Sequence, residues 1–370
     1  MKLGLLNIRP QYTDNNTPIS VPNGTDYLAS FINHHLPGWD AYVEYDEKRL
    51  MERKPDLVGL SSFTRTYNDA IKIAREIKNN FSVPVIIGGH HISALPDNLD
   101  YSMDIGVLGE GENTLLELVT LFEKGNFNEE SFGAIDGIVY RNSAGKIIRT
   151  KARQLISELD TLPIPYRTMV KDVKGFWNQT IFTSRGCPFR CKYCAISEFW
   201  DKIRYHSPER VINELSELIS KTKCEYITIH DDLFGINKKR LKLLVEAIRH
   251  EKIHQKVSFI CNARASVFDD EICQMFVDMN IRSCVFGMES ANDRILNYMK
   301  GSTNARQNQN ALDLCKKYNI VAIPNFIIGF PTETKEEASD TYWFIRRNLN
   351  NLSDFRIFPA CPLPGTHLWD

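Results

Sequence analysis

No cysteine precedes Cys187 in this chain of 370 residues, and the nine that follow are an odd number. A secreted disulfide framework normally shows an even set spread along the chain, so a reducing, cytoplasmic setting is expected. Charge of one sign is missing too: 45 basic against 46 acidic residues leave a formal charge of −1. No global field therefore recruits nucleic acid or an anionic lipid surface. Long apolar runs are absent. The longest, Ile320 to Phe330, is broken by Pro324 and Asn325, whereas a membrane span needs about 20 apolar residues. The opening Met1–Leu6 meets Asn7, Arg9 and Pro10 too soon for a secretory segment. What is present is globular, with 43% hydrophobic and 25% charged residues. The chain is longer than one ordinary core serves, so two domains are expected.

The first part alternates strand and helix. Strand patterns lie at Lys2–Ile8, within Pro55–Ser62, at Val83–Ile87 and at Asp104–Leu108. Between them Ala70, Ile73, Ala74 and Ile77 place one apolar stripe on a helix, and a second helix fits Glu112–Lys124. Apolar strands separated by helices indicate a parallel sheet covered on both faces, hence a doubly wound, Rossmann-like domain over 1–125. Residues 126–176 differ: two strand patterns flank Asn142-Ser-Ala-Gly145 as a hairpin, and Leu162-Pro163-Ile164-Pro165 reads as an extended linker. From 177 to 370 the strand–helix rhythm returns, with strands at Thr180–Ser184, Glu225–His230, Val257–Asn262, Ile281–Gly287, Ile320–Ile328 and Asp354–Phe358. Six such units predict a partial (β/α)6 barrel whose chemistry sits at the strands' C-terminal ends. Ser207 before Pro208, and Asp269, are expected helix caps.

Three of the nine cysteines crowd into Cys187-Pro-Phe-Arg-Cys191-Lys-Tyr-Cys194, directly after the first barrel strand. The other six (Cys224, Cys261, Cys273, Cys284, Cys315 and Cys361) are scattered and read as small buried hydrophobes. Three thiolates can hold three irons of a [4Fe–4S] cube. The fourth iron then stays open to a small molecule that presents an amine and a carboxylate. Zinc is the rival metal, with His206 as its fourth ligand, although this spacing is not usual for a zinc finger.

The stretch Thr183-Ser-Arg-Gly-Cys-Pro-Phe-Arg-Cys-Lys-Tyr-Cys194 resembles the signature of the radical S-adenosylmethionine (SAM) enzymes, and the likeness runs through the second domain. The resemblance implies that the open iron holds the amino and carboxylate groups of SAM, which the reduced cluster cleaves to methionine and a 5′-deoxyadenosyl radical. Tyr193 matches the aromatic position near the adenine. Thr228-Ile-His-Asp-Asp-Leu-Phe234 ends the second strand, where the resemblance places Asp231 and Asp232 near the SAM amino group. Arg264 closes the third strand, and Phe286-Gly-Met-Glu-Ser290 the fourth, with Glu289 and Ser290 facing the ribose. Ile328-Gly-Phe-Pro-Thr-Glu333 ends the fifth, where the Gly329 backbone pairs with adenine.

The first domain resembles a cobalamin (B12)-binding domain over residues 2–120. The likeness rests on Pro55–Ser62, Val83-Pro-Val-Ile-Ile-Gly-Gly-His90 and Val107-Leu-Gly-Glu-Gly-Glu112. Gly88-Gly89, Gly109 and Gly111 end strands where doubly wound folds bind ligands, and without Cβ atoms the backbone can approach a bulky group. Ser61, Ser62 and Thr64 offer hydroxyls beside them. The other reading of these glycines is a tight turn that binds nothing. Asp-x-His-x-x-Gly, which places a histidine on cobalt, is absent; His34, His35, His90 and His91 are expected at the surface or in turns, and cobalamin is expected without a histidine ligand. A methylthiotransferase is excluded, since its front domain carries three cysteines. Relatives usually continue past the sixth strand with further helices, so the end at Asp370 suggests a minimal or truncated enzyme.

The resemblance implies a cobalamin-dependent methyltransferase acting on an unactivated carbon. One SAM supplies the methyl group through cobalamin, and a second gives the radical that removes a substrate hydrogen. A cyclisation, ring contraction or other rearrangement with the same cofactors is the alternative, and a non-catalytic corrinoid or cluster carrier is a third reading. The implied partners are a small-molecule or peptide substrate and an external electron donor such as flavodoxin or ferredoxin.

Overall fold

The computed structural model describes residues 1–8, 23–165, 178–200, 202–222 and 224–369. It divides into two compact units, Met1–Gly175 and Phe176–Asp370. In the first, strands β1 (Lys2–Asn7), β2 (Asp40–Glu44), β3 (Leu57–Ser61), β4 (Val85–Gly88) and β5 (Ile105–Val107) alternate with helices α1 (Asn23–His35), α2 (Glu47–Glu52), α3 (Tyr67–Asn80) and α4 (His90–Ala94). Helices α5 (Glu112–Glu123) and α6 (Glu129–Phe132) and a hairpin, β6 (Ile138–Arg141) and β7 (Ile147–Arg149), follow. The sheet order is β2-β1-β3-β4-β5-β6-β7. Its first five strands are parallel, and the hairpin adds two antiparallel strands to the β5 edge. The order reverses between β1 and β3, the switch point at which such sheets bind ligands beyond the strands' C-terminal ends.

Strand side chains alternate between two cores. Leu5, Leu57 and Ile86 pack with Ile32 of α1 and Leu118 of α5. Leu6, Val58 and Ile87 pack with Leu50 of α2 and with Ala70, Ala74 and Ile77 of α3. The stripe expected at 70–77 is thus the buried face of α3. His34 and His35 are exposed at the end of α1. His90 and His91 depart from expectation, lying in α4 rather than in a turn, and His91 is buried. Its ring stacks on Tyr67 at 3.9 Å, with nitrogens 3.2 Å from Thr64 Oγ1 and 3.3 Å from Asn98 Nδ2. Of the linker, Leu162 is buried, and residues 166–177 lie outside the described residues.

The second unit holds β8 (Asn178–Ile181), β9 (Ser184–Arg185), α7 (Ile196–Phe199), β10 (Arg204–Tyr205), α8 (Pro208–Thr222) and β11 (Tyr226–Ile229). Next come α9 (Lys238–His250), β12 (Ser258–Ala263), α10 (Asp270–Met279), β13 (Ile281–Glu289), α11 (Asp293–Lys300), α12 (Ala305–Lys317), β14 (Val321–Ile328), α13 (Lys335–Asn348) and β15 (Arg356–Pro359). Six strands, β8-β11-β12-β13-β14-β15, pair in sequential order and all in parallel. This is the partial barrel, cored by Ile227, Phe259, Phe286 and Phe326 against Leu215, Leu244, Phe276 and Leu312 of the helices. The first strand stops at Ile181 rather than Ser184, because Ser184 and Arg185 form a separate ribbon with Tyr205 and Arg204. Ser207 and Asp269 cap their helices by accepting from Arg210 N and Ile272 N. Among the described residues, no helix is long and apolar enough to cross a membrane.

Candidate functional site

The six barrel strands of the second unit point their C-terminal ends one way, and the cysteine loop follows the first of them. Its entry is built by two aspartates at the end of β11. Asp231, fully buried, accepts from Thr183 N (2.5 Å), Ser184 N (3.1 Å), Thr183 Oγ1 (2.6 Å) and Ser184 Oγ (2.6 Å). Burial pushes its carboxyl above the usual range, against the pull of those donors. Both oxygens are occupied by the loop, so Asp231 is a brace. Asp232 accepts from Gly186 N at 2.9 Å through Oδ2. Burial pushes its carboxyl up to about 6, the Gly186 bond opposing and the Asp231 charge adding. Gly186 has φ +100°, and a Cβ there would lie 2.6 Å from the Lys202 carbonyl oxygen. Only glycine fits immediately before Cys187.

Cys187, Cys191 and Cys194 are free thiols, Cys191 buried and the other two partly so. Burial raises the Cys187 thiol and pushes Cys194 up to about 11. Ionising them in place therefore needs a cation, as bound metal supplies. Among the described residues, no three Cys, His, Asp or Glu side chains converge as ligands of a single ion would. A cube takes each of three thiolates on a different iron, whereas a structural zinc site normally wants four ligands, so three soft donors suit the cube better. The loop is tied down elsewhere by Lys192 N donating to Met299 O at 2.9 Å and Leu368 N donating to Lys192 O at 3.1 Å.

Arg264, buried at the end of β12, brings its Nη1 to 3.4 Å from Cys191 Sγ. Its Nε and Nη2 donate to Ser266 Oγ (3.0 Å) and Ser302 Oγ (2.9 Å), and its guanidinium stacks over Phe189 at 3.8 Å. A cation held beside a ligating thiolate offsets part of its charge. Across the loop, Tyr193 donates through its hydroxyl to Glu289 Oε1 at 2.7 Å, and its ring meets Phe330 edge-on. Glu289 ends β13 on a register slip with φ +64°. A non-glycine residue held there is the kind of backbone strain that clusters at binding sites.

The expected site residues thus separate. The structure brings Tyr193, Arg264 and Glu289 together with the cysteine loop, and Asp232 beside its entry. Ser290 turns away, its hydroxyl 3.2 Å from Thr341 Oγ1 and accepting from Asn292 N. Gly329, at φ +76°, has open space where a Cβ would be, but its N–H donates to Glu333 Oε2 at 2.6 Å. Sequence reasoning did not single out Thr183, Ser266, Ser302 or Lys300. Ser266 sits two residues from its partner Arg264, but the partners of Thr183, Ser302 and Lys300 lie 13 to 48 residues away and leave no spacing signal.

In the first unit the named residues follow β3, β4 and β5, which are neighbours in the sheet. Gly89 has φ +105°, and a Cβ there would overlap the Ser62 carbonyl; Gly111 faces Leu28 at 3.2 Å. These two glycines have internal reasons. Gly88 and Gly109 meet no atom within 4 Å of the missing Cβ, although Gly109 takes φ +77°, which itself favours glycine. Ser62 Oγ is buried without a hydrogen-bond partner among the described residues. Thr64 is committed to His91, and Ser61 O accepts from Ile8 N. Phe63, 54% exposed, stacks on His90 beside this edge. Bare backbone with an unused hydroxyl and an exposed ring fits a bulky, partly apolar ligand.

Comparison with known proteins agrees with both halves. Residues 181–345 match the family model of the radical SAM superfamily, and 22–119 that of the B12 binding domain. The chain is 34% identical over 365 residues to an uncharacterized methyltransferase of Pyrococcus horikoshii, covering 94% of this chain and 78% of that protein. It is 26% identical to an anaerobic magnesium-protoporphyrin IX monomethyl ester cyclase of Cereibacter sphaeroides, covering 92% of this chain but 57% of that one. Among solved structures, the radical SAM methyltransferase TsrM from Kitasatospora setae, holding cobalamin and a [4Fe–4S] cluster, superposes with a TM-score of 0.80 at 18% identity. That match covers 99% of this chain and 76% of TsrM.

Proposed function

The chain belongs to the radical SAM superfamily and carries a B12-binding domain, and from that premise we propose that it is a cobalamin-dependent methyltransferase acting on an unactivated carbon. When bound, the cluster supplies the electron for SAM cleavage, SAM the hydrogen-abstracting radical, and cobalamin the carriage of a methyl group. The chain's own residues bind, orient and neutralise. Cys187, Cys191 and Cys194 are the proposed iron ligands, and Arg264 offsets the charge on Cys191. Asp232, with one oxygen free of Gly186, is the acceptor proposed for the SAM ammonium. Glu289 is proposed to take the ribose hydroxyls and Tyr193 to flank the adenine. Gly88, Gly109 and Ser62 are proposed to seat the corrinoid. The observation that carries the reading is the pairing in one chain of a braced three-thiol loop with a strand edge kept open by glycine.

The cyclase relative favours a second reading, with the same cofactors and no methyl transfer. Product analysis separates the two. Reconstituted protein given substrate, SAM and reductant releases 5′-deoxyadenosine and S-adenosylhomocysteine in equal amounts if it methylates. A cyclase releases 5′-deoxyadenosine without S-adenosylhomocysteine. The substrate class remains a small molecule or peptide, the proposed electron donor a flavodoxin or ferredoxin, and the proposed location the cytoplasm. Cys261, Cys273, Cys284 and Cys315, buried outside the loop and not joined in disulfides, support a reducing compartment.

A further inference from the structure

Lys300 is the last residue of α11, a position from which a lysine ordinarily reaches into water. Here it is turned inward, its side chain 3% exposed. Its ammonium donates to the Gly287 carbonyl and lies 3.6 Å from Glu289 Oε1. That same oxygen accepts from the Tyr193 hydroxyl at 2.7 Å. The geometry is permitted by Gly287, where a Cβ would strike Glu289 Oε1. It is further set by the left-handed backbone of Glu289 after the register slip. One carboxylate oxygen is therefore gripped by a cation on α11 and a hydroxyl from the cysteine loop.

A buried charge without a partner is costly, so a lysine retained in this place has a partner it serves. Burial draws the ammonium down toward its neutral form, and the Glu289 charge is the largest influence opposing that. We infer that Lys300 is a positioning residue. It fixes Glu289 Oε1 against Tyr193, so that Oε2 is presented as the acceptor for the ribose hydroxyls of SAM. The inference rests on the ribose role proposed above for Glu289. Neither Lys300 nor Tyr193 touches the ribose in this account; both act through the carboxylate.

The test measures binding of SAM and of 2′,3′-dideoxyribose SAM to cluster-loaded protein, alongside iron content. Wild type is expected to bind the dideoxy analogue about tenfold or more weakly, the size of a lost charge-assisted hydrogen bond. Lys300→Met is expected to keep wild-type iron, to bind SAM about tenfold more weakly, and to lose the preference for the full ribose. Glu289→Gln, which retains an acceptor for Tyr193, is expected to lose the same preference. That variant checks the ribose role beneath the inference, and Lys300→Gln serves as the test of Lys300 if Lys300→Met fails to fold. Lys300→Arg, which keeps the charge, is expected to recover part of the preference. The inference is overturned if Lys300→Met discriminates the two ligands as wild type does, or loses iron in step with SAM affinity. Failure of wild type to bind SAM at all would instead remove the functional reading beneath it.

Discussion

The two candidate sites are built by opposite means. In the second unit, chemistry-bearing side chains are braced by others: Asp231 carries four hydrogen bonds to the loop entry, and Arg264 three hydrogen bonds to side chains. In the first unit the candidate seat is marked by missing atoms, the empty Cβ positions of Gly88 and Gly109, and by a Ser62 hydroxyl without a hydrogen-bond partner among the described residues. A centre that reacts must hold few atoms closely, which takes second-layer bonds. A seat for a large preformed cofactor needs clearance first. Substitutions should therefore fail differently in the two places.

The largest effect is expected at the cysteine loop. Cys191→Ala should abolish cluster assembly and 5′-deoxyadenosine formation while leaving the corrinoid-binding edge intact. Iron analysis and chromatography of the products check this, and wild-type cleavage in that variant would contradict it. Next comes Asp231→Ala, which strands four buried donors and should cost about 3 kcal/mol or more of stability, read by denaturant titration of cluster-free protein. The glycines sharpen the contrast. Gly89→Ala should destabilise the chain by roughly 2 kcal/mol, through overlap with Ser62 and a strained backbone. Gly88→Leu should leave stability nearly unchanged yet weaken corrinoid binding about tenfold or more, as steric exclusion from an open cradle requires. A reversed pattern would erase the distinction between the two glycines.

The smallest effect is one of pH. Asp232 titrates near 6 instead of 3.8, chiefly through burial. Because the folded value is raised, the neutral carboxyl stabilises the fold fully below about 3.8, and this contribution is lost as pH rises through about 6. Asp232→Asn should therefore make cluster-free protein more stable above pH 6, by about 1–3 kcal/mol. The same substitution should weaken SAM binding. Wild-type SAM affinity should in turn fall as pH drops below about 6, as an ionised acceptor for an ammonium requires. A flat affinity profile from pH 5 to 8 would remove Asp232 from that role.

Much of this arrangement was legible in the residues. Apolar runs separated by helically spaced stripes located the six barrel strands and the parallel strands of the first unit other than β2, and the three cysteines located the loop. The scattered cysteines behaved as small hydrophobes except Cys361, which is exposed. What escaped were partnerships across long sequence separations. Nothing local distinguishes Asp231 from Asp232, yet one is consumed by Thr183 and Ser184 while the other keeps an oxygen free. Ser290 carries a hydroxyl at the right strand end, but Thr341 of α13 claims it. Lys300 reads as an ordinary basic residue in a last helical turn until β13 is laid beside it. His91 reads as surface until Tyr67 stacks on it. Side-chain destination, unlike periodicity, is settled only when distant elements pack.

The central claim is that one chain seats two cofactors, a cluster in the second unit and a corrinoid in the first. The most direct test is anaerobic reconstitution with iron, sulfide and hydroxocobalamin, followed by desalting and assay of bound iron and corrinoid. The account predicts about four irons and one cobalamin per chain. Four irons without cobalamin would contradict it, leaving the first unit a scaffold and the proposed methyl transfer without its carrier.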